Sequence, residues 1–394
     1  MHHPPNQRAG FVIIGGGIIG SACAYFLAKR GLGTETIVIE ADPSYARAST
    51  PAAAGGIRRL MSRPENILMS QFSLDFYANI AAELEMDVDI SFKRQGYLFL
   101  EDSSGVADLQ NNFKTQQSLG VDATLMDLDS LQRKFPSLGS ATTAIACHSP
   151  NDAWIDPQQA MLALRDKAKQ LGVRYLQDRV VGLTSSGAAV RTAKLASDAS
   201  IEGNFFINTA GAWVSEIADM TSAKLPVQPM CRVQHYWLAQ ADIEPLPLVK
   251  DGTGAFFRPE GDGFVGGRPS FEIDPGFIWD LDRGYFADYF ERTLWELLAN
   301  MVPKFESIRM QRQWGGHYAQ NLFDGNMIIG PYSPGLENLV TACGFSGHGV
   351  MHAPAVGRAI AELCVDGSFQ SIDLSRLGFQ RILDNQPYAE IGIK

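Results

Sequence analysis

Residues 11–40 carry the tightest constraint in the chain. An apolar run, Phe11-Val-Ile-Ile14, leads straight into Gly15-Gly-Gly17-Ile-Ile-Gly20, which opens the helical segment Ile18–Arg30. A second apolar strand, Thr36–Glu40, follows and ends on an acid. In a G-x-G-x-x-G of this kind the first glycine makes the tight turn and the second lets backbone approach a pyrophosphate. The third lets helix and strand close on each other, with the positive helix end facing the anion. Glu40, twenty residues after Gly20, is placed to accept hydrogen bonds from ribose hydroxyls and to repel a 2′-phosphate. The segment predicts a Rossmann-type dinucleotide site and disfavours NADP.

The rest of the chain bounds what surrounds that site. With 394 residues, 45% of them hydrophobic, there is material for about two to three domains with full cores. Lys+Arg 33 against Asp+Glu 43 gives a formal charge of -10 without a dense basic run. Neither nucleic acid nor an anionic membrane surface is an expected partner, because both need concentrated positive charge. The apolar runs are too short for a membrane span, and the glycines at 15–20 with no small-residue cleavage site argue against a secretory leader. A soluble protein is expected. Cys23, Cys147, Cys231, Cys343 and Cys364 are odd in number, scattered and free of C-x-x-C pairs. This predicts no disulfide framework and no structural zinc, and points to a reducing, cytoplasmic location.

FAD or NAD is decided further along. An NAD enzyme keeps its nucleotide fold in one block, whereas FAD enzymes of the glutathione reductase type return to the dinucleotide from distant segments. Two returns are visible: Asn208-Thr-Ala-Gly-Ala-Trp213 after the strand Phe205–Ile207, and Cys343-Gly-Phe-Ser-Gly-His-Gly349 after the strand Leu339–Ala342. The second opens the helix Met351–Val365, whose positive end would face a ring that gains negative charge on reduction. Elsewhere a helix is predicted over Asn66–Glu85, and another from the Asp156-Pro157 cap to Gly172, followed by a strand at Arg174–Leu176. No internal repeat is present. From about 226 to 320, short aromatic runs broken by Gly and Pro suggest an antiparallel sheet. The expected architecture is α/β: a glutathione-reductase-type Rossmann FAD-binding domain from 8–84, 147–222 and 322–380. It is interrupted by an inserted α+β substrate domain, 85–146 and 223–321, built on an antiparallel sheet.

As a set, the G-x-G-x-x-G with Glu40, Ser49-Thr-Pro-Ala-Ala-Ala-Gly-Gly-Ile-Arg58, Asn208-Thr-Ala-Gly211 and Gly344-Phe-Ser-Gly-His-Gly349 resemble the D-amino-acid oxidase family of flavoproteins. That family includes glycine oxidase, sarcosine oxidase and dimethylglycine dehydrogenase. Gly266-Gly-Arg268, Trp314-Gly-Gly-His-Tyr318 and Ala353-Pro-Ala-Val-Gly-Arg358 are most similar to its branch of FAD-dependent oxidoreductase domain-containing proteins. The resemblance implies FAD contacts at Gly15, Gly17, Ile18 and Gly20, with Glu40 and Ala41 at the ribose. Further contacts are implied at Ser49, Thr50, Gly55 and Gly56, at Val180, and at Thr209, Ala210, Gly211 and Trp213. The last group is Gly344, Phe345, Ser346, Gly347, His348 and Gly349, continuing to Val350 and Met351. Where sarcosine oxidases attach FAD through a Cys two residues before a Tyr, this chain has Gly316 before Tyr318, so FAD is expected to be non-covalent. Those oxidases keep a Lys near the flavin to promote reaction with oxygen. Phe264 aligns there, pointing to a dehydrogenase whose electron acceptor the sequence does not name.

A carboxylate-bearing substrate needs a fixed cation, and the planar fork of Arg suits it. The resemblance assigns that role to Arg58, with Arg59 the neighbour that a register slip would substitute. The family's Lys two residues after the G-H-G turn is Met351 here. Arg258 or Arg268 is expected to compensate, although ion-pair roles remain open for both. His348 is expected at the flavin, its charge tuning reduction. His317 and Tyr318 are expected at the amine pocket, with a structural role equally open for His317. His348 and His352 share a helix face but lack a third ligand nearby, so no metal is expected. The implied activity is oxidation of the C–N bond of an amino acid or secondary (N-substituted) amino acid, by hydride transfer to flavin N5. The aromatic residues of 234–264 modestly favour N-substitution. Two alternatives stay open: a non-catalytic FAD-containing assembly or interaction protein, which Met351 favours, and an NAD-dependent dehydrogenase.

Overall fold

The computed structural model describes residues 7–139, 142–240, 242–332 and 335–392; the leader reading at residues 1–6 falls outside them. Its first sheet is built around Gln7–Ile14, which pairs in parallel with Thr36–Glu40 on one side and Ser200–Asn208 on the other. Arg174–Gln177 extends the parallel set beyond Thr36–Glu40. The strand Ser200–Asn208 forks. Its first half pairs antiparallel with Ala189–Leu195, and its second half in parallel with Leu336–Cys343. Strands buried on both faces read as continuous apolar runs rather than alternating ones, which is why Phe11–Ile14 and Phe205–Ile207 stand out in the sequence.

The helix Ile18–Leu27 is buried at every position, held between Pro157–Gln170 and Gly349–Asp366. Its α-helical part ends at Leu27, a π-helical turn carries the helical path on to the expected Arg30, and Gly31, next in the chain, breaks it with a positive φ of 84°. The expected single helix 66–85 is two, Pro64–Ala78 and Ile80–Leu84. Asn79 breaks it, its amide donating back to the Asp75 carbonyl at 2.9 Å in the way short polar side chains compete with the helical ladder. The Asp156 cap stands as expected, its carboxylate accepting from the amides of Gln158 and Gln159 at 2.9 and 3.0 Å.

The second sheet draws on 97–101, 124–126 and 145–149, then on strands between Val227 and Asn321. Its longest pairing runs antiparallel between Val227–Leu238 and Arg309–Asn321. It is built on antiparallel pairings as expected, with one parallel junction where Leu248–Asp251 pairs with Tyr97–Glu101. Its strand Ile145–Ser149 lies across the 146/147 junction drawn from sequence. A cluster of Trp237, Phe257, Phe286, Phe290 and Phe305 fills the core on one side. Among the described residues, no helix is long and apolar enough to cross a membrane.

Candidate functional site

Two adjoining cavities lie where the sheets meet. The larger, about 520 Å³, opens at the carboxyl ends of the parallel strands, where open α/β sheets bind their ligands. Gly15, Gly17 and Ile18 line it from the first turn, and Glu40 and Ala41 from the second strand. Ser49 and Thr50, Val180, and Thr209 through Gly211 with Trp213 come from three further segments. The turn supplies Phe345, Ser346, Gly347, Gly349 and Val350. Six segments of the sequence thus converge on one space.

The local geometry follows from the glycine turn. Gly15 holds a positive φ of 99°. Gly20 does not reach the cavity; a Cβ there would run into the Gly15 carbonyl oxygen and lie 2.8 Å from Thr209 Oγ1. Its role is to let helix and strand touch. Gly17 at the N-cap offers no side-chain cap, and the Ile18 amide has only Thr50 Oγ1, at 3.3 Å. The positive end of a ten-residue helix therefore opens onto the cavity, as a pyrophosphate requires. Glu40 accepts from the amides of Gly16 and Asp42 at 2.7 and 2.8 Å. Burial raises the pKa of its carboxyl despite these bonds. The residues present fit an FAD. Asp42, Arg47 and Glu216 also line this cavity and were not singled out from the sequence, where nothing distinguishes them from surface charges.

The smaller cavity, about 220 Å³, shares Ala53, Tyr318, Ser346, Gly347 and Val350 with the larger one. Gly55, Gly56, Arg58, His348 and Met351 line this space instead of the larger. Gly344 lines neither, turning at a positive φ against Asn321. Arg58 is 3% exposed. Its Nη2 lies 3.0 Å from His348 Nε2, its guanidinium stacks 4.9 Å from the Phe99 ring, and its Nη1 has no partner. Arg59 faces elsewhere, its Nε donating to Asp152 at 2.7 Å with Asp122 as a second partner.

The expected charge on His348 is not supported. Burial first, then the neighbouring Arg58, His352 and Lys250, hold its pKa well below 6.5. The ring is neutral near pH 7, and Nε2 accepts from Arg58. His352, with neither ring nitrogen partnered, is pushed down to about 3. Among the described residues no group of three His, Cys, Asp or Glu side chains is arranged to hold a metal ion.

Three other expectations are corrected. His317 lines neither cavity: consecutive side chains of a strand point to opposite faces, and Tyr318 takes the cavity side. His317 Nε2 accepts from the Ile278 amide at 2.9 Å between Phe277 and Trp279, and burial pushes its pKa down to about 4. Arg258 is also absent from both linings; it ties down the 49–56 segment, donating to the Ala54 carbonyl at 3.0 Å and pairing with Glu260. Arg268 sits outside as well, bonded to the Thr253 carbonyl at 3.1 Å and 3.6 Å from Glu272. Phe264 packs against Trp237, Phe257 and Phe305 in the second core, so it lines neither cavity. Besides Arg58, Lys250 also lines the smaller cavity, together with Tyr97, Gln320 and Glu390; none of these four was singled out from the sequence.

The family model for "FAD dependent oxidoreductase" matches residues 11–363. The chain is 37% identical to FAD-dependent oxidoreductase domain-containing protein 1 of Xenopus laevis, over 99% of this chain and 85% of that protein. It is 26% identical to the 4-methylaminobutanoate oxidase (formaldehyde-forming) of Paenarthrobacter nicotinovorans, over 98% of this chain and 47% of that one. Among solved structures, L-proline dehydrogenase from P. horikoshii superposes with a TM-score of 0.86 at 28% identity, covering 98% of this chain and all of that one.

Proposed function

The chain belongs to the FAD-dependent oxidoreductase family, and on that premise we propose that it oxidises the carbon–nitrogen bond of an N-substituted amino acid, as a dehydrogenase. One observation carries the reading: Arg58 is a buried cation whose Nη1 lacks a partner, in a cavity that adjoins the larger one through a shared wall. An unpaired buried charge is costly, and a substrate carboxylate relieves it in the geometry a guanidinium prefers. FAD bound in the larger cavity would supply the acceptor for the hydride that leaves the α-carbon.

The chain's own groups orient and enclose. Arg58 holds the carboxylate, neutral His348 fixes the guanidinium through its Nε2, and Tyr318 walls both spaces. With His348 and His352 both neutral near pH 7, the amine is read as binding unprotonated. The product iminium leaves and hydrolyses in water. 4-Methylaminobutanoate and L-proline, named in two of the relatives, are both secondary amines bearing a carboxylate, which supports N-substitution. With Phe264 in the second core, the dehydrogenase reading rests on the likeness to the proline enzyme. The flavin is read as non-covalent: a side chain at Gly316 would run into Ala52, and all five cysteines are buried without lining either cavity. Met351 favours a non-catalytic protein, and the buried Arg58 with its unpartnered Nη1 in the cavity is what supports the catalytic reading instead.

The test is anaerobic mixing of the yellow protein with N-alkyl and D-amino acids. One compound should bleach the visible bands, and Arg58→Met should raise its KM about 10- to 100-fold, the range of a lost charged hydrogen bond, with the flavin retained. Bands that persist under every amine yet fall with dithionite, or an Arg58→Met protein that loses flavin at unchanged KM, overturn the reading.

A further inference from the structure

Phe271 lines the smaller cavity, yet it is 63% exposed. An aromatic ring left to water gains most from a ligand that covers it. The ring ends a continuous apolar wall. Leu248 registers with Tyr97 on the parallel neighbour, and Phe256 registers with Gly267 at the end of the next strand. Pro269 and Phe271 follow directly from that strand end, and all of these but Gly267 line the cavity. Ligand pockets are lined in this way, with apolar side chains around a few fixed polar groups, and here Arg58 is the fixed group.

What holds Phe271 in place is a second buried cation. Arg232 is 7% exposed and lines neither cavity. Its guanidinium lies 4.6 Å from the Phe271 ring and 5.2 Å from the ring of Tyr318, the residue that walls both spaces. Nη1 donates to the Ser270 carbonyl at 2.7 Å and to the Cys231 carbonyl at 3.0 Å, while Nε and Nη2 have no partner. No carboxylate among the described residues pairs with it. The charge faces two aromatic rings instead, the contact that a planar guanidinium makes best. A second charged group on the substrate finds no clear gain in this wall. Lys250 and Glu390 set opposite charges there, and Glu390 keeps its own because Ser62 and Asn66 bond it through neutral donors. We propose that Phe271 and the apolar wall behind it form a side-chain subsite, with Arg232 as the positioning residue that fixes Phe271 and Tyr318 at its edge. This rests on the oxidation proposed above and names its substrate class: an N-substituted amino acid with a large apolar side chain.

Two measurements test it. Propanoate and phenylpropanoate both offer a carboxylate to Arg58 and differ by one phenyl ring. In the wild-type holoprotein, phenylpropanoate should perturb the flavin bands at about tenfold lower concentration, since a buried ring is worth at least that. Phe271→Ala should remove most of this ratio. Arg232→Met should cut it about threefold, the worth of a cation–π contact, and Arg232→Lys, which keeps a cation over the rings, should restore part of it. In turnover, N-methylphenylalanine should be preferred to N-methylalanine in kcat/KM. A ratio near one in the wild type, or one undiminished in Phe271→Ala, overturns the subsite. An Arg232→Met protein that loses both ligands in equal proportion overturns the positioning role, because general damage moves both alike. The two readings fail separately. Phe271-dependent binding of phenylpropanoate without bleaching by any amine upholds the subsite and sinks the oxidation. Equal kcat/KM for the two N-methyl amino acids does the reverse.

Discussion

Burial decides the charge of the histidines. Of the five among the described residues, four are buried and His348 is half-buried, and all are shifted down: His148, His235 and His317 to about 4, His352 to about 3, and His348 well below 6.5. Below pH 6.5 the unfolded chain takes up a proton at each, while the folded chain does so only at its lower value. Their contribution to stability is present above pH 6.5 and is lost as pH falls towards 4. His352 alone should account for roughly 2 kcal/mol of the loss between pH 6.5 and 4.5, at about 1.4 kcal/mol per unit. Denaturant unfolding at the two pH values should show that difference shrink by about this amount in His352→Gln; an undiminished difference would refute it. None of this is legible in the sequence. The neutrality of His348 comes first from desolvation and then from Arg58, which packs on it from 290 residues away, and only strand alternation separates the faces of His317 and Tyr318.

At the scale of elements, legibility follows distance along the chain. The turn from Phe11 to Glu40 could be read because strand, glycines, helix and acid interact within thirty residues, and each glycine has a local reason to be there. The parallel junction between Leu248–Asp251 and Tyr97–Glu101 could not, because it pairs strands about 150 residues apart. Lys250 was missed with it. The turn makes a sharp prediction. Gly20→Ala should push the first helix off its strand, since the new Cβ meets the Gly15 carbonyl oxygen, at a cost of about 1–3 kcal/mol. Because the same shift withdraws the helix end from the cavity, purified Gly20→Ala should carry much less flavin per protein by absorbance. Gly182→Ala is the control: its Cβ would sit 3.7 Å from Lys194, an ordinary contact. Equal flavin content in both variants would show that the close approach at Gly20 does not matter.

The molecule as a whole is closed by a segment that no motif announces. Residues 388–391 cross the edge of the smaller cavity and are tied to three distant places. Tyr388 OH donates to Glu65 at 2.8 Å, with Arg63 and Arg376 stacked on its ring at 4.4 and 4.0 Å. Its amide donates to Asp324 at 2.9 Å, and Asn112 reaches the Ile391 carbonyl at 2.7 Å. Glu390 is the centre of the closure, because its carboxylate satisfies Ser62 and Asn66 while forming part of the cavity wall. Truncating it leaves those donors unpaired at the start of Pro64–Ala78, a position that also carries Arg58 six residues upstream. Glu390→Ala should therefore lower the unfolding free energy by about 2–3 kcal/mol, the cost of orphaning donors to a charged acceptor. It should also raise KM, because the wall and the arginine beside it are no longer held. Flavin content separates this from general damage: Glu390 lines only the smaller cavity, so the holoprotein should stay yellow under conditions where KM has already risen. Flavin lost before KM changes would mean that the segment supports the Rossmann sheet instead of the substrate side.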